Sequence, residues 1–301
     1  LSAGPQHPQP AVLSAHDCKN CGAALSGAFC ANCGQRANVH VPTTHELVHE
    51  ALEGLTHSDS RLWRTLRLLW LKPGQLTREF IAGRRESFLP PFRLYLVISV
   101  ILFLLASFIR ASDTQGFIRV DAKDLQAGET PEAICGKIHM ESFGTSQSAL
   151  EKRFQHGCVT TVRDHGESFL HVALSTLPKA MFLFLPLIAF LHMLVYWWPR
   201  QRYAVHLLFF IHLHAFFFSL IALLLVVNGA AILWPALRST VNLLTDAGGW
   251  WAAAYTVLAM KRVFERTWVN TLVKGAGLFI VYWVVFGITL VGVFIYAVMQ
   301  V

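Results

Sequence analysis

HLLFFIHLHAFFFSLIALLLVVN, residues 206–228, decides the fold class. It holds no Asp, Glu, Lys or Arg and exceeds the roughly 20 apolar residues a helix needs to cross a bilayer. Four further apolar runs flank it, at roughly 92–109, 178–198, 247–260 and 275–299. The whole chain agrees: of 301 residues 54% are hydrophobic and 14% charged, with mean hydropathy +0.47. Soluble domains carry about 25% charged residues. The pattern predicts an all-α integral membrane protein of about five transmembrane helices, the first at 92–109 and a four-helix transmembrane region over 178–301. The run at 247–260 is short enough to be re-entrant, unless it borrows Val241 to Asp246 and buries Asp246 near one end. No internal repeat suggests the inverted-repeat plan of many transporters.

Charge orients the chain. Between His57 and Arg93 there are eight Arg/Lys against three Asp/Glu, which predicts a cytoplasmic N-terminal region. The loop at 110–177 carries seven basic and nine acidic residues, a balance suited to an extracytoplasmic subdomain. The connections 198–205 and 261–274 are basic again, so the C-terminus is expected outside. The net charge of +7 sits beside apolar segments, where it meets anionic lipid and not nucleic acid. Residues 1–17 are Pro- and His-rich, lack the apolar core of a signal peptide and read as a flexible tail. Residues 43–91 read as cytoplasmic amphipathic, interfacial helices. Thr43 and Glu46 form a capping box. In RLWRTLRLLWLK, 61–72, Arg61, Arg64 and Arg67 share one face, while Leu62, Leu66, Leu69 and Trp70 line another. That pattern predicts a helix in the headgroup layer, its Trp/Leu face towards acyl chains, with Arg84 and Arg85 adding to the lipid-facing basic set.

The cysteines divide four and two. Cys18-x2-Cys21-x8-Cys30-x2-Cys33, within residues 18–36, has the spacing of a four-thiolate zinc ribbon. So short a module has no core of its own, so metal binding is its folding energy. Redox or iron–sulfur chemistry is the alternative use of such pairs, and four protein ligands leave no open position for catalysis. Cys135 and Cys158 lie in the predicted outer loop and are expected to form a disulfide there.

The N-terminal half carries a recurring set of features. Zinc knuckles ending Cys33-Gly34-Gln35, His57-x-Asp59, Pro73-Gly74, Gly83-x-Arg85 and a Pro90-Pro91 step into the first span resemble a family of bacterial membrane proteins of unknown function. The resemblance covers about residues 18–105, with a weaker echo at 202–218. It implies a zinc-ribbon head on a multi-span protein of the bacterial inner membrane, and it assigns no activity to particular residues.

Ionisable groups within spans raise a functional hypothesis by default. His206, His212 and His214 begin the 206–228 run, and His192 lies on the neighbouring span. His206 and His214 fall about 80° apart on a helix and His212 on the opposite half, so one metal cannot take all three. A pair could join His192 around metal or haem, or relay protons. The plainer alternative sets His206 at the interface beside Arg202 and lets the others hydrogen-bond within the bundle. His45-Glu46-Leu47-Val48-His49 matches the zinc-peptidase string H-E-x-x-H, but Glu46 is already a capping residue and the helix is short. The expectation is therefore a non-enzymatic membrane protein whose zinc head recruits or senses a protein partner and is coupled to the helical bundle by the basic interfacial helices. A channel or transporter using the span histidines, or a membrane metallo-enzyme, is the alternative.

Overall fold

The computed structural model describes residues 17–37, 61–111, 130–136, 149–164, 166–196 and 201–301. The expected tail, the capping box, the His45/His49 string and the His57/Asp59 pair lie outside those residues, as does much of the 110–177 loop. The described chain is helical: α1 (Arg61–Leu71), α2 (Gln75–Ile81), α3 (Pro91–Ala111), α4 (Pro131–Gly136), α5 (Ala149–Arg163), α6 (Glu167–Val195), α7 (Tyr203–Leu233), α8 (Arg238–Phe264) and α9 (Trp268–Gln300). Four stretches are long and apolar enough to cross a membrane: Pro91–Phe108, Glu167–Val195, Tyr203–Ala231 and Trp268–Gln300. The chain is thus a multi-pass membrane protein by length and composition.

α7 is the axis. It is apolar on every side, and such a helix belongs inside a bundle. The burial follows: 56% of its apolar window is enclosed, against 11% for α9. α3, α6 and α8 pack on α7, and α9 lies outside against α6 and α8. The outward faces of α3, α6 and α9, with Val100, Leu104, Leu183, Phe279, Ile280 and Ile288 exposed, form the apolar belt that acyl chains cover.

The run at 247–260 is part of α8, which does extend back through Val241 to Asp246 and leaves Asp246 exposed. α8 lies antiparallel to α7. The Asn228 amide donates to Thr245 Oγ1 at 3.3 Å, Gly248 faces Leu224 and Leu220, Phe216 stacks on Tyr255 at 3.6 Å, and Phe209 meets Phe264. From Thr245 to Phe264 this register covers about 28 Å at 1.5 Å per residue. The helices also outrun their apolar runs, α6 by beginning at Glu167 and α9 by beginning at Trp268. Polar termini continue a helix as readily as apolar ones once water can solvate them.

One end of the bundle gathers the cysteine module, α1, α2, the end of α6, the start of α7 and the α8–α9 turn. The opposite end carries α4 and α5, joined by the Cys135–Cys158 disulfide and an Arg163–Glu132 ion pair. Gly157 of α5 touches the last turn of α9, where a Cβ would lie 1.7 Å from the Val298 carbonyl oxygen.

α1 corrects the expectation of a helix facing acyl chains. Thr65 and Leu69 are buried, Leu66 and Trp70 are packed against the core, and Trp70 meets Phe216 edge-on at 5.6 Å. The apolar stripe turns into the groove between α7 and α8, leaving Leu62, Trp63, Arg64, Arg67 and Leu71 outside. Protein offers that stripe a closer-packed surface than lipid. At Pro73-Gly74 the chain breaks, since proline cannot continue the ladder and Gly74 is left-handed at φ +72°. A Cβ on Gly74 would stand 2.8 Å from the Ala259 carbonyl oxygen of α8. Gly74→Ala should therefore lower bundle stability by about 1–3 kcal/mol, from the left-handed backbone and the overlap together. Unfolding in detergent would check this, with Gly287→Ala, which meets nothing within 4 Å, as the near-neutral control.

Candidate metal centre and its seat on the bundle

The module is one turn used twice. In the first half the Gly22 N–H donates to the Cys18 carbonyl and the Cys18 N–H to that of Ala23; in the second, Gly34 donates to Cys30 and Cys30 to Gln35. Gly22 and Gly34 take φ near +75°, which glycine adopts without steric cost. The repetition turns all four sulfurs inward. Cys18 and Cys33 stand 3.6 Å apart, Cys21 and Cys30 likewise, and all four sulfurs lie within 4.8 Å of one another. Tetrahedral metal–sulfur bonds of about 2.3 Å place ligand sulfurs about 3.8 Å apart. The donor set therefore fits one ion. The Ala23 N–H, the largest influence on Cys21, holds that thiol down at about 6, while desolvation pushes Cys33 up to about 11. Thiols this close cannot all ionise without a cation among them.

Gln35 seats the module. Its Nε2 donates to the Gly83 carbonyl at 2.9 Å, and its Oε1 accepts the Arg85 N–H at 3.2 Å. Gly83 offers that carbonyl because α2 ends there in a Schellman turn: Gly83 N–H donates to Phe80 and Arg84 N–H to Glu79, with Gly83 at φ +86°. Ser87 adds a hydrogen bond to Asn20 at 2.9 Å. Thr65 pins the same turn from below, its hydroxyl accepting the Leu89 N–H at 3.0 Å just before Pro90-Pro91.

The seat is itself held by the bundle. Breaking α1 at Pro73 frees carbonyls at its C-terminus. Tyr255 Oη donates to the Leu69 carbonyl at 2.7 Å, and the Arg262 guanidinium donates to that of Pro73. Thr77 of α2 shares a hydrogen bond of 3.0 Å with His212 Nδ1, under the ring of Phe80. Arg78 pairs with Glu265 at 2.9 Å. Of the basic residues expected to face lipid, Arg61 pairs with Glu86 and Arg84 with Glu79, the Arg85 backbone binds Gln35, and Arg64 and Arg67 remain exposed.

The histidines separate. His192 and His206 meet, Nδ1 to Nδ1 at 2.7 Å, both buried. His212 turns to Thr77. His214 donates from Nδ1 to its own helix at Phe210 and receives the Tyr282 hydroxyl at Nε2, 3.1 Å. Among the described residues the four cysteines are the one group of three or more His, Cys, Asp or Glu side chains placed to hold a metal ion. Gln35, Thr77, Tyr255 and Arg262 escaped the sequence reading as contact residues. The Gln35 and Pro73-Gly74 motifs marked where to look, but partners 48 to 189 positions away did not show.

Residues 59–103 match a family described as Protein of unknown function (DUF3667). The matched stretch spans α1, the break, α2, the Gly83 turn and much of α3: the seat, without the cysteine module. No curated protein and no solved structure matches the chain.

Glu79 supplies a pH signature. Burial acts to raise its pKa, but hydrogen bonds from Arg84 and Gln75 and the charges of Arg84 and Arg78 outweigh it and hold the carboxyl below its ordinary 4.5. A depressed carboxyl contributes stability that is complete above the ordinary value and lost as pH falls through the folded one. Melting temperature should hold steady down to about pH 4.5 on this account and fall below it, and Glu79→Gln should flatten that acid limb.

Proposed function

We propose that the cysteine module is a zinc-loaded head on the cytoplasmic side of a five-span protein of the bacterial inner membrane, that it recruits or senses a protein partner, and that its state is coupled to the helical bundle. The observation that carries this is the Gln35 clasp on the Gly83–Arg85 turn. From it a continuous series of contacts runs through Arg84 and Glu79 to α2, and from Thr77 to His212 inside α7. Gln35 stands two residues after Cys33, so filling or emptying the metal centre acts on the clasp first. Zinc suits four thiolates and leaves them no open position for a reacting water, which favours a structural and recognitive role over a catalytic one.

The five-span topology draws support from α8 running antiparallel along α7 for about the hydrocarbon thickness of a bilayer. Basic residues at the head-side connections favour a cytoplasmic head and an extracytoplasmic α4–α5 unit. A thiol-reactive probe that cannot cross membranes should label Ser239→Cys from outside and Gln201→Cys only after the membrane is opened; equal labelling of both from one side refutes the five-span plan.

Purified protein should carry about one zinc per chain, lost in Cys30→Ser and released on acidification as protons compete for the thiolates. Affinity purification from native membranes should recover a soluble companion that disappears with Cys30→Ser. Gln35→Ala should keep the zinc yet raise amide exchange over residues 75–87. If exchange there ignores both changes and no companion depends on the cysteines, the coupling proposal fails. A transporter remains the second reading, favoured by the His192–His206 contact between adjacent spans; uptake in proteoliposomes abolished by His206→Ala would promote it.

A further inference from the structure

The head-side end of the bundle holds positive charge that no carboxylate answers. Arg266 lies in the turn between α8 and α9, and Lys274 one and a half turns into α9. Neither pairs with a carboxylate among the described residues. Lys274 Nζ stands 4.6 Å over the Tyr196 ring, and Tyr196 closes α6. Like charges placed together cost stability unless something negative sits between them.

Three other features converge there. The Tyr196 hydroxyl is buried with no hydrogen-bond partner, on a residue only 3% exposed, and Arg266 acts on it electrostatically. Arg266 Nε is also buried and unsatisfied. A cleft of about 230 Å³ opens at Arg266, lined by Gln201, Val263, Phe264, Glu265 and Arg266, and its wall residue Phe264 packs on the Tyr196 ring at 4.8 Å. Glu265 does not fill the electrostatic role, because its carboxylate is already bound to Arg78 at 2.9 Å. It also sits at φ +49°, the one left-handed non-glycine residue among those described. That backbone turns Glu265 towards α2 and leaves Arg266 facing the cleft. α7 begins next to Gln201 with no side-chain cap on its first turn, which adds the positive end of a long helix. Buried polar groups without partners, two cations without carboxylates and an uncapped helix start all ask for the same ligand: an anion with several acceptor oxygens.

We infer that Arg266, Lys274, Tyr196 and Gln201 form a phosphate-binding site at the head-side rim of the bundle, which takes the phosphodiester of an anionic lipid headgroup. Arginine's fork and the lysine point charge suit phosphate oxygens, the phenol supplies a third donor, and the rim of a spanning bundle lies at headgroup depth. Only the lipid source rests on the membrane placement proposed above; the phosphate chemistry does not.

The test uses the full chain in neutral detergent with short-chain phosphatidylglycerol, phosphatidylcholine and inorganic phosphate as separate probes, read by intact-complex mass spectrometry and thermal melting. Phosphatidylglycerol should be retained and raise the melting temperature, and phosphatidylcholine should do neither. Arg266→Gln with Lys274→Gln should weaken phosphatidylglycerol about tenfold or more, as loss of a charge-assisted hydrogen bond does. Stabilisation by inorganic phosphate that the same variant removes supports the site and shows that free phosphate suffices. Stabilisation by the lipid alone assigns the source to the membrane. Equal retention of both lipids, or unchanged phosphatidylglycerol affinity in the double variant, overturns the inference. If the double variant does not fold, the single changes Arg266→Gln and Tyr196→Phe replace it, and unchanged affinity in both is equally fatal. Zinc content should stay constant throughout, which keeps failure here distinct from failure of the metal proposal.

Discussion

A helix broken inside an apolar groove strands backbone carbonyls that water cannot reach, and this constraint organises the head-side half of the molecule. Pro73-Gly74 makes the break, and α8 answers it with Tyr255 on the Leu69 carbonyl and Arg262 on that of Pro73. Gly74 lets the two backbones touch at Ala259. An unsatisfied buried carbonyl costs on the order of 1–3 kcal/mol, so the elbow can enter the bundle only where those donors wait. Everything nearer the cysteines is built on it: α2 is aimed at His212, its Schellman end presents Gly83, and Gln35 lands there. The family match covers this elbow and ends within α3.

The seat also explains how a module without a core of its own keeps a fixed attitude. An ion held by four thiolates would order the knuckle, but it would say nothing about direction. Direction comes from one amide side chain used at both ends, Gln35 Nε2 and Oε1, and from Asn20 with Ser87. These bonds are short-ranged and geometrically strict.

Four long apolar helices, the cysteine groups and the basic N-terminal flank were legible in the sequence because each is written in neighbouring residues: apolar runs, fixed spacings, charge counts. What was not legible depends on distant partners. The Leu66, Leu69 and Trp70 stripe announced an amphipathic helix correctly, yet hydrophobicity alone cannot tell a protein groove from an acyl chain, and the groove won. α8 looked short because Asp246, Gly248 and Gly249 dilute its hydropathy, while its length is set by contacts along α7 from Thr245 to Phe264. The span histidines invited a shared site. Only packing revealed that they answer different neighbours: His192 and His206 each other, His212 the elbow, His214 the outer helix through Tyr282.

The backbone contact between Gly157 and Val298 has a consequence for biogenesis. α5 emerges from the ribosome some 140 residues before the surface on which it rests. Its tie to α4 is local and can form early, but its landing place exists only once α9 has been translated. The cap over that end of the bundle can therefore seat only after the final helix has been made.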